Sequence, residues 1–255
     1  MAREAKKIAR GFNWRRWVVV VALGLAGVSI AVAGFKVRQY ALTDPQFVFS
    51  SNQPDALTIQ GQDYTPETKV LRVFIWDFDH SVFSIPLEER RRRLLAIDWV
   101  EEASVSRIWP DRLLVRIRER KPVAFVLFRS GVLLIDAHGV LLDPPPRAHF
   151  AFPVLSGVRQ DETEEQRREQ VRALLRLQQD MGYMAKDVSE VNTADPGNIR
   201  IVAQVENRAV ELMMGDGNFA QRCQNFLAHY AEIGKRSPKV KSFDLRLDGQ
   251  ITAKD

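Results

Sequence analysis

The most distinct pattern in the chain is an apolar run near its start. From Trp17 to Phe35 the sequence has 19 residues without a charge, and Lys36 follows the run. A helix rises about 1.5 Å per residue, so this run reaches about 28 Å, close to the roughly 30 Å hydrocarbon core of a bilayer. Trp17 and Tyr40 flank it as interfacial aromatic residues do. The pattern predicts one transmembrane helix, at 17–35.

A polar, turn-rich stretch at 36–54 is predicted to be a spacer, and a compact pattern of strands and helices follows it. Leu57 and Ile59 alternate with polar residues, which indicates a strand. Pro66 marks the start of one helix, and Leu87 lies on the apolar face of a second. Two further strands with a turn between them come next. The residues that indicate them are Ala103, Val105, Trp109, Pro110, Asp111, Leu113, Val115 and Ile117.

The segment at 55–120 is therefore predicted to be a β-α-α-β-β domain, with two helices covering one face of a small sheet. The remainder, 121–255, predicts a mixed β-domain with flanking helices. Helices are expected at 164–181 and at about 219–233, and alternating apolar residues over 243–247 indicate a strand near the end. Ile251 is predicted to begin a last short strand. The expected fold class is α+β.

The distribution of charge along the chain predicts the direction in which the helix inserts into the membrane. The chain has 37 Lys and Arg against 32 Asp and Glu, a formal charge of +5. Residues 1–16 carry six basic residues and one acidic residue, so the rest of the chain is neutral and a nucleic-acid-binding surface is not indicated. Positive charge before a span stays in the cytoplasm, which predicts that residues 36–255 lie on the other side of the membrane. The alternative is a cleavable signal peptide, with Ala31-Val32-Ala33 before a new N-terminus at Gly34.

Motifs that carry chemistry are missing from the sequence. Cys223 is the lone cysteine, which excludes an intrachain disulfide and a cysteine-based zinc site. P-loop, GxSxG, HExxH and SxxK motifs do not occur. We therefore expect no catalytic residue, no cofactor, no metal site and no small-molecule substrate, and the chain is not expected to be an enzyme. Trp99, Trp109 and Phe83 are expected to pack a turn or the core.

The stretch from Ile97 to Val123 carries a more specific signal, together with the closing segment. The positions that carry it are Trp99, Val100, Ala103, Val105, Arg107, Trp109, Pro110, Leu113, Glu119, Arg120, Pro122, Val123 and Ala124, followed by Asp244, Leu245 and Arg246. This pattern resembles the POTRA domain and the closing strand of the FtsQ/DivIB family of bacterial cell-division proteins. The chain departs from the family at Asp98, where Pro is usual, and at Leu247, where Tyr is usual.

The resemblance implies a non-enzymatic scaffold of the divisome. Such a protein would sit in the inner membrane at the division septum and bind FtsB, which is paired with FtsL, and through them recruit the septal peptidoglycan synthase of FtsW and FtsI type. Partner binding is expected by strand addition to the edge of the closing strand. The expected partner-binding residues are Ser242, Phe243, Leu245, Arg246, Leu247 and Gly249. Without the resemblance, an ordinary paired core strand is the simpler interpretation.

One run of basic residues outside the N-terminal segment at 1–16 has two interpretations. Arg90, Arg91, Arg92 and Arg93 form a solvated helix face paired with Glu88 and Glu89, or they form a docking surface for acidic lipid headgroups or an acidic partner.

Two other functions also compete with the scaffold. POTRA domains occur in protein-transport systems, although the roughly 130 residues after this one lack the regular ~10-residue strands of a barrel. A cell-wall enzyme with an unrecognised site is the third alternative.

Overall fold

The computed structural model describes residues 14–146, 148–236 and 239–254, apart from the side chains of Arg15 and Arg16. Residues 1–13, which make up most of the predicted basic tail at 1–16, lie outside the described residues. The chain divides into two compact units. The first comprises residues up to Gln60, Val70–Arg91 and Ser104–Arg116, and the second comprises Gly61–Lys69, Arg92–Ala103 and residues from Ile117 onward.

Helix α1 runs over Trp14–Thr43 and belongs to the first unit. Its apolar side chains are exposed, and among the described residues it is the one helix long and apolar enough to cross a membrane, at Trp17–Thr43. It fits a membrane anchor, as the sequence predicted. It continues beyond the predicted end at Phe35, because Lys36 and the residues after it interrupt apolarity without interrupting helix formation.

The stretch predicted to be a spacer is largely structured. After α1, a short 3₁₀ helix forms at Pro45–Phe47, with Asp44 accepting a hydrogen bond from the backbone N–H of Gln46. Phe47 and Phe49 are both buried, and the backbone N–H of Phe49 donates to the carbonyl of His80 at 2.9 Å. These contacts fix residues 44–49 to the first unit, so the anchor and this unit are not separated by free chain.

A three-stranded sheet with two helices follows, in the predicted order β-α-α-β-β. The elements are β1 (Leu57–Gln60), α2 (Glu67–Phe74), α3 (Leu87–Leu95), β2 (Val100–Ile108) and β3 (Arg112–Glu119). β3 lies in the middle of the sheet and pairs in parallel with β1, with Leu57 opposite Leu113. Leu113, Val115 and Ile117 are buried while Arg116 and Arg118 are exposed, so the alternation in the sequence gives β3 one apolar face.

The rest of the chain forms a nine-stranded sheet in the second unit. Its strands are β4 (Pro122–Phe128), β5 (Gly131–Asp136), β6 (Leu141–Leu142), β7 (Val154–Ser156), β8 (Val188–Asn192), β9 (Ile199–Val205), β10 (Arg208–Gly215), β11 (Ser242–Asp244) and β12 (Thr252–Lys254). Their order across the sheet is β12-β11-β10-β9-β8-β7-β4-β5-β6. The last strand of the described residues, β12, is therefore the outermost strand on one side of the sheet.

Two long helices belong to this unit, α4 (Glu164–Met181) and α5 (Phe219–Arg236). Thr163 and Gln166 form a reciprocal capping box that starts α4. Each helix buries an apolar stripe in the core of the sheet. The buried residues of these stripes include Val171, Leu174, Leu177 and Met181 of α4, and Phe219, Cys223, Phe226 and Tyr230 of α5. The α+β class and the mixed β-domain with flanking helices are confirmed.

Trp99 fills a second, smaller core in the same unit. Its ring is buried with Leu134 and Leu142, and its Nε1–H donates to the carbonyl of Asp143 at 2.9 Å. An indole buried this way satisfies its one donor as well as its apolar surface. The expectation that Trp99 is a core residue is therefore confirmed.

Candidate partner-binding site

The predicted partner-binding strand does not lie at an edge of the sheet. β11 pairs in parallel with β10 on one side and antiparallel with β12 on the other. Ser242, Phe243 and Asp244 are therefore already paired on both sides, and their backbone is not available for strand addition. The prediction was wrong here because an alternating pattern indicates a strand without giving its neighbours in the sheet.

Phe243 and Leu245 also belong to the core. Phe243 is 1% exposed, and its ring packs against Phe226 at a centroid distance of 5.0 Å and against Tyr230 at 6.5 Å. Leu245 is 2% exposed and lies in the same apolar cluster. Both side chains are almost fully buried, so their main contribution is to hold β11 and the segment after it on α5.

Leu247 and Gly249 lie at the surface, in the turn that leads from β11 to β12. The Leu247 side chain is 66% exposed, and Gly249 takes φ +78°, a left-handed conformation that glycine adopts without strain. Ser242 is half-buried in β11. Three of the six predicted residues, Arg246, Leu247 and Gly249, therefore remain at an exposed surface.

The side chain of Arg246, which follows β11, is held by Asp244 of that strand. Its Nε donates to Oδ1 of Asp244 at 2.9 Å, and its terminal nitrogen donates to Oδ2 at 2.5 Å. This hydrogen bonding lowers the pKa of the Asp244 carboxyl and raises the pKa of Arg246. The Arg246 side chain is still 46% exposed. An acidic partner residue would therefore compete with Asp244 for Arg246.

A small pocket opens between this turn and helix α5. Its volume is about 160 Å³. The residues that line it include Leu245, Leu247, Gly249, Gln221, Arg222 and Asn225. Three of the predicted residues thus meet three residues of α5 that the sequence did not indicate, because nothing in a helical pattern shows which strand-end turn packs over it.

Arg222 organises the wall of this pocket. Its Nε donates to Oδ1 of Asp248 at 2.8 Å, and another nitrogen donates to the carbonyl of Met214 at 2.6 Å. The hydrogen bond from Arg222 lowers the pKa of the Asp248 carboxyl. Gly215 makes room for this arginine, because a Cβ at that position would lie 2.9 Å from its guanidinium. Arg222 therefore joins the end of β10, helix α5 and the closing turn.

Among the strands that the structure describes, β12 is outermost and has an unpaired backbone edge at Ala253. Leu245 donates its N–H to the carbonyl of Met213, and the carbonyl of Lys241 accepts from Glu211, so odd-numbered residues of β11 face β10. The backbone groups of Ser242 and Asp244 consequently face β12. They are opposite Lys254 and Thr252, which leaves the N–H and C=O of Ala253 directed away from the sheet. All three residues of β12 are exposed.

One of the four consecutive arginines is buried, and the other three are not. Arg90 is buried, and it donates to both carboxylate oxygens of Asp77, at 2.5 and 2.7 Å. It cannot contribute to a docking surface, so this part of the prediction was wrong. Its position on the inner face of α3 is the reason. Arg91 pairs with Glu88 at 2.9 Å, as expected for a solvated helix face, and Arg92 and Arg93 are exposed.

Comparison with known proteins gives consistent matches along the chain. Residues 54–120 match a family model described as POTRA domain, FtsQ-type, and residues 124–246 match one described as Cell division protein FtsQ/DivIB, C-terminal. Cell division protein FtsQ of Koribacter versatilis is 32% identical over 239 residues, which cover 91% of this chain and 69% of that protein. Cell division protein FtsQ of Shewanella oneidensis is 26% identical over 244 residues, covering 92% of this chain and 85% of that protein.

A solved structure also matches part of the chain. It is the major extracytoplasmic domain of the trans isomer of the cell division protein DivIB from Geobacillus stearothermophilus. The match covers 48% of this chain and 96% of that one, at 20% identity and a TM-score of 0.28. At that TM-score nothing about the fold is concluded from it.

Proposed function

Because the chain belongs to the FtsQ/DivIB family of cell division proteins, we propose that it is a non-enzymatic scaffold that links other division proteins at the inner membrane. Its partners are proteins of the FtsB and FtsL type, and through them the septal peptidoglycan synthase of FtsW and FtsI type. The basic tail stays in the cytoplasm, and residues 36–255 lie in the periplasm at the septum. Confinement by α1 raises the effective concentration of the periplasmic binding surfaces.

The observation that carries this proposal is the open edge of β12. A strand edge with unpaired N–H and C=O groups accepts an extended segment of another chain, and the backbone of Ala253 provides such a pair. The partner segment adds next to β12 instead of β11. Ser242, Phe243 and Leu245 then act indirectly, by holding β11 and so the register of β12.

Side-chain contacts give the added strand its specificity. The pocket beside Leu247 and Gly249 has room for an apolar side chain of the partner, and Arg222 and Arg246 provide charge close to it. An acidic partner residue exchanges with Asp244 as the acceptor for Arg246. Such an exchange between two carboxylates gains little affinity by itself but fixes the position of the partner.

The remaining parts of the chain have separate roles in this proposal. Residues 55–120 form the POTRA domain and residues 121–255 form the β-domain that binds FtsB and FtsL. Arg91, Arg92 and Arg93 form the docking surface of the POTRA domain, without Arg90. They lie on an exposed part of α3, where an acidic partner or headgroup reaches them by exchange with their present contacts.

Co-purification with the FtsB/FtsL pair from the same genome tests the partner surface. We expect Leu247→Glu to weaken capture, because it places a charge at the mouth of the pocket. Leu127→Glu is the matched control, since Leu127 is 58% exposed on β4, several strands away in the same sheet. Equal capture by both variants and the unchanged chain would contradict the proposed surface.

A second pair of variants tests strand addition itself. Ala253→Pro removes the one N–H of β12 that points outward and leaves the bonds of Thr252 and Lys254 to β11 in place. Ala253→Ser keeps that N–H and is the control. We expect the proline variant to lose capture of FtsB/FtsL and the serine variant to retain it. Full capture by Ala253→Pro would exclude addition at this edge.

A further inference from the structure

The turn between β2 and β3 exposes a tryptophan that the core of the first unit does not need. Trp109 is 66% exposed, although it was expected to pack the turn. One side of its ring rests edge-on against Phe47 at 5.7 Å and Phe83 at 5.2 Å, and the rest of the ring is uncovered. Tryptophan and tyrosine are enriched at interfaces and in membrane-interface belts, where one end of the side chain is in an apolar environment and the other in water.

The same ring cluster reaches the membrane anchor. Phe47, which is buried, also packs against Tyr40 of α1 at a centroid distance of 5.7 Å. A hydrogen bond strengthens this junction, because Ser81 Oγ donates to the carbonyl of Ala41 at 2.7 Å. Trp109 is therefore two ring contacts from the last turns of α1, and all of these residues belong to one compact unit.

The position of Tyr40 along α1 sets the depth of the cluster. Tyr40 lies five residues after Phe35, the last residue of the apolar run, which is about 7.5 Å along a helix. The polar headgroup layer on each side of a bilayer is about 5–7.5 Å thick. Tyr40 therefore lies in the outer part of the headgroup layer when α1 spans the membrane, and Trp109 adjoins it through Phe47.

We propose that the Trp109-Pro110 turn inserts into the headgroup layer of the membrane that α1 spans, so that the first unit is seated on the lipid surface. The occupant of this surface is lipid, because the surface is continuous with the anchor through Phe47 and Tyr40. Tryptophan and tyrosine are the residues that this layer favours, since their rings are apolar at one end and polar at the other. Lys36 and Arg38, exposed on α1, face lipid phosphates in the same layer.

This seating has a consequence for the unit. One helix alone leaves the unit free to tilt and rotate together with α1 relative to the membrane. A second contact at the β2–β3 turn removes that freedom and fixes which face of the unit looks away from the lipid. The inference depends on α1 spanning the membrane and does not depend on the identity of any protein partner.

The test uses the full chain in nanodiscs, with acyl chains brominated close to the headgroup as a quencher of tryptophan emission. The unchanged chain, Trp109→Phe and Trp76→Phe are compared. Subtracting each variant from the unchanged chain gives the emission of the replaced residue, because the other four tryptophans are common to both. Trp76 is the matched control, since it belongs to the same unit and is 80% exposed.

We expect brominated lipid to remove a larger fraction of the Trp109 emission than of the Trp76 emission. Quenching of Trp109 that is no stronger than that of Trp76 would overturn the proposal. Thermal unfolding of both variants shows whether the fold is kept. If Trp109→Phe is unstable, Trp109→Tyr gives the same subtraction with an aromatic ring of closer character, and the same two outcomes apply.

Discussion

Arg90 and Asp77 form a two-point ion pair inside the first unit, with nitrogen–oxygen distances of 2.5 and 2.7 Å. Both side chains are less than a tenth exposed, at 9% and 6%. The pair joins α3 to the turn after α2. It belongs to the interior because Arg90 alone, among the four consecutive arginines, lies on the inner face of α3.

Removal of Arg90 should therefore destabilise the protein. We expect Arg90→Gln to lower the free energy of unfolding by about 3–5 kcal/mol, because it leaves the buried Asp77 carboxylate without its counter-charge. Arg91→Gln should cost under about 1 kcal/mol, since its pair with Glu88 is exposed. Denaturant unfolding measures both values, and similar losses for the two variants would contradict the assigned burial.

The predicted partner residues should separate into two classes. We expect Phe243→Ala to cost about 3–5 kcal/mol of unfolding free energy, because it leaves a cavity against Phe226 and Tyr230. Leu247→Ala should change stability by no more than about 0.5 kcal/mol, since the side chain is exposed. Thermal or denaturant unfolding checks this. A large loss for Leu247→Ala would place that residue in the core and remove it from the surface.

The Asp244–Arg246 pair makes a pH-dependent contribution. Its hydrogen bond lowers the pKa of Asp244 in the folded protein, so the folded state binds a proton there less readily than the unfolded chain. The stabilising effect is complete above the ordinary Asp pKa of about 3.9 and is lost as the pH falls through the lower, folded-state pKa.

An NMR titration of the aspartate carboxyl carbons tests this assignment. We expect Arg246→Gln to raise the pKa of Asp244 toward its ordinary value. Asp248 is an internal control, because Arg222 and not Arg246 lowers its pKa. No change at Asp244, or an equal rise at Asp248, would show that the proposed pairing does not operate in solution.

The exposed arginines should matter for recruitment and not for folding. We expect the triple variant Arg91→Gln, Arg92→Gln and Arg93→Gln, with Arg90 left in place, to weaken localisation to the division site while keeping thermal stability close to the unchanged value. Fluorescence imaging of a fusion protein and an unfolding curve give the two readouts. Unchanged localisation with normal function would remove these residues from the docking surface.

Local structure could be predicted from the sequence because it depends on nearest neighbours. The α4 helix begins and ends at the predicted residues, 164 and 181, and the β-α-α-β-β order follows from alternation and turn residues. Prediction of the candidate site required knowledge of which strands pair in the sheet. An alternating segment such as 243–247 is equally compatible with an edge and a central strand, and the pairing of β11 with β10 depends on contacts distant in sequence.

The sequence also could not predict which single residue is buried within a run of identical or similar residues. Four consecutive arginines give no indication that Arg90 points inward, because that depends on where Asp77 lies after folding. Arg222 was missed for the same reason, since its partners Met214 and Asp248 come from separate elements. The lone cysteine, Cys223, is buried in the apolar core on α5, and this burial raises the pKa of its thiol.

The most direct test of the scaffold function is rescue of cell division by a fluorescent fusion of the full chain in cells depleted of the native protein. The fusion should form bands at midcell and reverse filamentation, and the Ala253→Pro variant should not restore division. A uniform membrane signal without rescue by the unchanged chain would contradict the proposed function. Full rescue by the unchanged chain and by Ala253→Pro alike would keep the division role but contradict strand addition at β12.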